Sequence, residues 1–442
     1  MKLKNLTLAN CGGFEQRNAN DEPPVITFEP DVTLIAGVNG VGKSTVLRAL
    51  AVLLSRAMPE FTPSRSAPIS FTDDDIHSDK SSLAVSASLT LNAQTLNAGV
   101  QRTRNTVDEG DRYVRLLQPE AASTTAFAEA LQGRTLTGDL EAGLTETSVA
   151  LATLKRESNP PLAVYFSPKR QLPGQPRSLP DAKPFDPSLA YSRALQDREV
   201  ELREFMHWFR TQEKLDASET RRSSVLDTLR GVVTKLAPEF TGLRIQERPR
   251  LGFVVDKRGQ PFYLHQLSDG ERGLLALVFD LARRLAIANP DSEDPIADGV
   301  ALVLIDEIEL HLHPKWQRDV LQRLRDTFKS CQFVVTTHSP LVLGEVPARC
   351  VRFLDFVGGK VSVTVPTEAF GMDANRILQE FMGASVRNLQ VDGEIKKLFE
   401  LIDAERFDDA RLAIASLEGK LGEDEPELTR ASSLIRFLEG TE

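Results

Sequence analysis

Hydrophobic positions along this 442-residue chain change their period several times, and each change predicts an element. Met1–Thr7 alternates polar and apolar as a strand does, residues 25–36 read as strand, and Leu83–Leu91 alternates cleanly. An apolar-periodic helix opens near Lys43, with Val46, Leu47, Leu50 and Leu53 on one face, and a Pro/Ser-rich loop follows over 58–70. Residues 125–155 are mostly polar and Ala/Thr-rich and predict little. A short apolar strand, Leu162–Phe166, ends at Ser167-Pro168, and five prolines within 171–190 mark a linker that is neither helix nor central strand.

Two amphipathic helices follow. Leu202, Phe205, Met206 and Phe209 repeat at helical spacing, as do Val225, Leu226, Leu229, Val232, Val233 and Leu236, which predicts a small helical subdomain with its own packed face. Short strands return over 243–264 around a turn at Asp256–Gly259. Helices then alternate with the apolar strands Ala301–Ile305 and Phe333–Thr337, the pattern of a sheet with helical crossovers. From about 371 the chain reads as amphipathic helices.

Composition narrows the class. With 41% apolar and 26% charged residues, the chain can build a real core. No apolar window is long enough to span a membrane, and the first residues lack the apolar stretch of a signal peptide. Cys11, Cys331 and Cys350 are too few and too scattered for a disulfide framework or zinc cluster. An intracellular, cytoplasmic protein is expected. The net charge of −10 argues against a surface coated for nucleic acid. Residues 391–442 alone carry −7, however, so a local basic groove elsewhere stays open.

The candidate chemistry begins at Gly37-Val38-Asn39-Gly40-Val41-Gly42-Lys43-Ser44, which fits G-x-x-x-x-G-K-[ST] between a strand and a helix. Glycines let backbone N–H groups wrap phosphates at a helix N-terminus, Lys43 neutralises their oxygens, and the Ser44 hydroxyl suits Mg²⁺. Asn39 and Thr45 join this phosphate-binding set. The run Ala301–Ile305 delivers Asp306 and Glu307. Asp306 falls to the metal side, and Glu307 can act on a water attacking the γ-phosphate. Either carboxylate alone would read as an ordinary strand end; beside the glycine-rich loop the pair reads as functional. Leu267-Ser268-Asp269-Gly270-Glu271 is on its own a helix capping box. Phe333–Thr337 ends in His338, and a lone histidine there is usually structural. Glu309, His311 and His313 could suggest a metal site, but their place favours structural or interface roles.

Taken together, in this order and spacing, these motifs resemble those of ABC-type ATPases of the SMC/RecF/OLD group, over residues 1–60 and about 160–345. The resemblance implies an α/β fold: an ABC-type P-loop ATPase head with a mixed sheet, a short helical insertion and a helical C-terminal tail. It implies ATP and Mg²⁺ as cofactors and a homodimer or higher homo-oligomer. In that arrangement Ser268 and Gly270 would contact the nucleotide of a second subunit in trans, and His338 would be the switch histidine. The implied division is 1–168 (head, N-terminal part), 169–240 (proline-rich linker and helical insertion), 241–365 (head, C-terminal part) and 366–442 (acidic helical tail). Two positions depart from the group. The turn Asn10-Cys11-Gly12-Gly13-Phe14 lacks the arginine many relatives carry there, and Gln171 is offset as a candidate Q-loop glutamine.

Long coiled coils are excluded by the short span between Gln171 and Ser268, and no nuclease cluster follows His338. The layout is similar to the PtuA-type ATPases of Septu and retron-associated anti-phage systems. That likeness implies a separate HNH-type nuclease subunit as partner, and brings in a retron reverse transcriptase with its RNA–DNA. Membrane partners are not expected, and direct contact with nucleic acid stays open. Two other readings remain: a RecF/SMC-like DNA-repair ATPase that binds DNA directly, and a scaffold that holds ATP without turning it over.

Overall fold

The computed structural model describes residues 1–16, 23–92, 94–104, 111–119, 138–155, 159–170, 172, 176, 178–181, 185–218, 224–384, 387–422 and 424–440. The chain divides into two compact units, Met1–Met372 and Asp373–Glu442.

The first unit opens with β1 (Lys2–Ala9), β2 (Val25–Thr27) and β3 (Val32–Gly37). The single strand expected over 25–36 is therefore two. Pro30 lacks an amide donor, and the chain changes sheet across it: β2 pairs with β1, while β3 joins another sheet. Helix α1 (Lys43–Phe61) follows, then β4 (Ser82–Leu91), β5 (Gln94–Thr103), β6 (Arg112–Pro119), α2 (Gly138–Leu154) and β7 (Leu162–Phe166). An antiparallel sheet of order β2-β1-β4-β5-β6 results.

Next come α3 (Leu202–Ser218), α4 (Ser224–Leu236), and the antiparallel β8 (Phe240–Gln246), β9 (Gly252–Lys257) and β10 (Gln260–Tyr263). They precede α5 (Asp269–Ala288), α6 (Pro295–Asp298), β11 (Ala301–Ile305), α7 (Pro314–Thr327), β12 (Gln332–Thr337) and α8 (Pro340–Leu343). The unit's last strands are β13 (Val351–Val357) and β14 (Lys360–Thr364). The central sheet has the order β14-β13-β3-β12-β11-β7, parallel except at β14. Every residue of β3, β11 and β12 is buried, as expected of parallel strands covered on both faces.

Helices α3 and α4 do not form a self-contained subdomain. Phe205 stacks on Phe279 of α5 with centroids 4.2 Å apart, and meets Phe253 of β9 edge-on at 5.2 Å. An apolar stripe needs a partner surface, and α5 with the three-stranded sheet supplies it. Helix α5 is further pinned to the proline-rich linker. Asp280 accepts from Arg284 Nε at 2.8 Å and Arg198 at 2.9 Å, and Arg284 also donates to the Ser192 carbonyl at 3.0 Å. Burial would raise the Asp280 pKa, but Arg284, Arg198 and Arg283 outweigh it and hold the carboxyl well below the usual range. All three cysteines are buried free thiols, and burial pushes Cys11 and Cys331 up to about 12.

The second unit contains α9 (Ala374–Glu380), α10 (Leu389–Asp403), α11 (Phe407–Leu421) and α12 (Pro426–Leu438). The last three share a core that includes Leu398, Ile402, Ala410, Leu417, Leu428 and Ala431. Among the described residues no helix is long and apolar enough to cross a membrane.

Candidate active site

In a parallel sheet the C-terminal strand ends form one rim, where open α/β folds bind ligands. Register places the candidate residues along that rim: Ala36 of β3 pairs with Thr337 of β12, and Ile305 of β11 with Val335. The loop after β3, Asp306-Glu307 after β11 and His338 after β12 therefore emerge side by side.

The glycine-rich loop needs its glycines. Gly37, Gly40 and Gly42 have φ of 149°, 80° and 101°. A Cβ on Gly37 would stand 2.3 Å from the Leu354 carbonyl oxygen, and one on Gly42 2.9 Å from the Phe14 ring. The turn that lacks the arginine thus backs the loop sterically. Lys43 Nζ donates to the Gly37 and Val38 carbonyls at 2.7 and 2.9 Å, holding its ammonium inside the loop. Burial lowers its pKa, opposed by the negative field of Glu309, Glu307 and Asp306. Ser44 and Thr45 line an open cavity of about 500 Å³ together with Arg48, Tyr165 and Asp197. Asn39 and Gly40 are exposed at the loop tip.

Asp306 is 2% exposed, and its Oδ1 accepts from the Thr336 hydroxyl. Burial and the nearby Asp306 and Asp197 carboxylates push the Tyr165 phenol well up. Among the described residues no lysine or arginine forms an ion pair with Asp306. The cations that act on it at longer range are Lys43 and Arg170. Asp306 and the Ser44 hydroxyl are hard oxygen donors of the kind Mg²⁺ takes. Glu307 is half-buried with φ of 48°, an uncommon conformation for a residue with a side chain. Its amide donates to the Thr336 hydroxyl at 2.8 Å.

Glu309 is buried and accepts from the Thr337 hydroxyl and the His338 amide, each at 2.8 Å, with His338 Nδ1 at 3.2 Å. It is thus a support for His338. His313 caps α7 by accepting from the Lys315 amide at 3.2 Å. The residues that sequence reasoning misses are Thr336, whose one hydroxyl serves both Asp306 and Glu307, and Arg170. Arg170 is buried and donates to the carbonyls of Asp306, Glu307 and Ile308. A cationic residue closing the run Ser167-Pro168-Lys169-Arg170 is the only local signal for it. Gln171 lies outside the described residues.

Ser268 and Gly270 are not brought to this rim. They line a separate cavity of about 470 Å³ with Lys257, Arg258, His311 and Trp316. The capping box is real: Glu271 accepts from the Ser268 amide at 2.9 Å and its own amide reaches the Ser268 hydroxyl at 3.4 Å. Gly270 sits so close to the next turn that a Cβ would stand 2.1 Å from the His311 carbonyl oxygen.

Sheet, glycine-rich loop and carboxylate pair define a P-loop ATPase domain of mixed α/β fold. Residues 32–344 match the family described as "AAA domain, putative AbiEii toxin, Type IV TA system", and the chain belongs to that family. It is 37% identical over 221 residues to "Retron Ec83 probable ATPase" of Escherichia coli, which covers 49% of this chain and 40% of that protein. Over 80 residues it is 40% identical to "Septu protein PtuA" of Bacillus mycoides (strain KBAB4), 18% of this chain and 11% of that one. The matched region thus spans well under two thirds of these relatives' own lengths. Among solved structures, the SMC head domain from Thermotoga maritima aligns with a TM-score of 0.42 at 17% identity, over 83% of this chain and 100% of that chain.

Proposed function

We propose that the protein is an ATP hydrolase that works as a head–head homodimer and regulates a separate HNH-type nuclease in anti-phage defence. The observation that carries the reading is the shared rim: Lys43, Asp306, Glu307 and His338 leave adjacent parallel strands, with the Lys43 ammonium in the field of three carboxylates. Lys43 and the loop amides of Gly37, Asn39, Gly40, Gly42, Ser44 and Thr45 hold the phosphates. Ser44 and Asp306 would hold Mg²⁺, which would neutralise charge developing on the phosphate oxygens. Glu307 accepts the proton of the water that attacks the γ-phosphorus. His338, oriented by Glu309, contacts the γ-phosphate oxygens, and Ser268 and Gly270 of the second subunit close the site. The names of the retron and Septu relatives support the defence role, with a retron reverse transcriptase and its RNA–DNA as further partners.

Turnover by the purified protein, with and without Mg²⁺ and with Glu307→Gln, tests the chemistry. The amide keeps the side chain's shape but is no base, so ATP affinity should persist while hydrolysis falls by about 10²–10⁴. Single-turnover hydrolysis within tenfold of wild type would remove Glu307 from this role.

A further inference from the structure

The backbone from Asp306 to Ile308 is held at every hydrogen-bonding group. The Asp306 amide donates to the Phe166 carbonyl at 2.8 Å, the Glu307 amide to the Thr336 hydroxyl at 2.8 Å, and the Ile308 amide to the Thr336 carbonyl at 3.2 Å. The three carbonyls of the same residues all accept from one side chain, and the Glu307 carbonyl accepts from the Leu310 amide at 3.0 Å as well. Arg170 Nη1 donates to Asp306 O at 2.5 Å, and Nη2 to Glu307 O at 2.6 Å and Ile308 O at 3.3 Å. Ordinary strand pairing cannot supply those contacts, because Glu307 leaves the strand in the left-handed region.

Burying a guanidinium 5% exposed is costly unless its donors are matched, and here they meet main-chain oxygens instead of a carboxylate. Its planar fork reaches three carbonyls, which a lysine ammonium cannot do with the same geometry. Burial lowers the Arg170 pKa, while Glu309, Asp306 and Glu307 favour the charged form. Arg170 also stands at a junction. A Cβ on Gly273 of α5 would lie 3.7 Å from the Arg170 carbonyl oxygen, and Gly270 on the same helix abuts His311.

We propose that Arg170 is a positioning residue that fixes the left-handed backbone of Glu307 and so aims its carboxylate at the attacking water. The Arg170 backbone passes beside Gly273 in α5, the helix that Ser268 caps. The inference rests on the hydrolysis reading above and adds a residue to it.

The test compares Arg170→Lys and Arg170→Gln with wild type for affinity towards a fluorescent ATP analogue, single-turnover hydrolysis and thermal unfolding. Each change is also made in the Glu307→Gln background. Analogue affinity should stay within about threefold, while hydrolysis should drop by about 10²-fold, the scale of a misplacement of about 1 Å. In the Glu307→Gln background the Arg170 changes should cost nothing further, because no carboxylate remains to be aimed. Equal loss of affinity and rate, full additivity with Glu307→Gln, or unchanged rates would each overturn the assignment. So would loss of cooperative unfolding in both variants, which would make Arg170 a stability residue. If Glu307→Gln itself hydrolyses ATP normally, the hydrolysis reading fails instead, whatever Arg170 does.

Discussion

Glu309 Oε1 accepts the backbone N–H of His338 at 2.8 Å and lies 3.2 Å from its Nδ1, joining two strand ends 29 residues apart. One buried carboxylate thus orients the histidine and satisfies the Thr337 hydroxyl through its other oxygen. Glu309→Ala should leave these donors unpaired at a cost of about 1–3 kcal/mol each, and Glu309→Gln should cost less because it keeps an acceptor. Urea unfolding measures the stability loss, and hydrolysis should fall in the same order. Equal stability of wild type and Glu309→Ala would show that the contact carries nothing.

Asp280 sits among Arg198, Arg283 and Arg284 in the helix that begins at Ser268. Asp280→Asn should destabilise the first unit by about 3–5 kcal/mol, since it strands buried guanidinium groups. The folded pKa of Asp280 is depressed, so its contribution is fully present above the unfolded value of about 4 and fades as pH falls toward the folded one. Acid unfolding of wild type should therefore show a stability loss below about pH 4 that is weaker in Asp280→Asn. Parallel acid-unfolding curves would contradict this.

What could be read from the sequence was local chemistry. The positive φ of Gly37 and Gly42 and the bonds of Lys43 to the Gly37 and Val38 carbonyls lie within the loop itself, so spacing alone locates it. Strand β11 was legible because a parallel strand buried on both faces must be continuously apolar. The packing of Phe205 on Phe279 was not, because periodicity tells that a helix has an apolar face and not what covers it. Arg170 and Thr336 stayed hidden for a related reason. Their partners, the carbonyls and amides of 306–308, carry no residue identity, and sheet order alone makes them neighbours.

The helices at 389–438 have their own core and an acidic tail sequence. Deleting residues 373–442 should leave ATP binding by Met1–Met372 intact and abolish capture of a co-expressed HNH-type nuclease. Capture by the full chain should weaken as salt rises, because the net charge of −7 over 391–442 would steer a basic partner. Equal recovery of nuclease after deletion would move the docking site to the head.

In the proposed dimer one head completes the ATP site of another, with Ser268 acting across the interface. Lys43→Ala removes the ammonium from the phosphate loop, and Ser268→Arg blocks the edge offered in trans, so each variant alone should be inactive. Mixed equally and allowed to exchange, they form heterodimers with one intact composite site, and roughly a quarter of wild-type activity should return if pairing is random. A mixture that stays inactive, with exchange of chains demonstrated, would contradict a site shared between two heads.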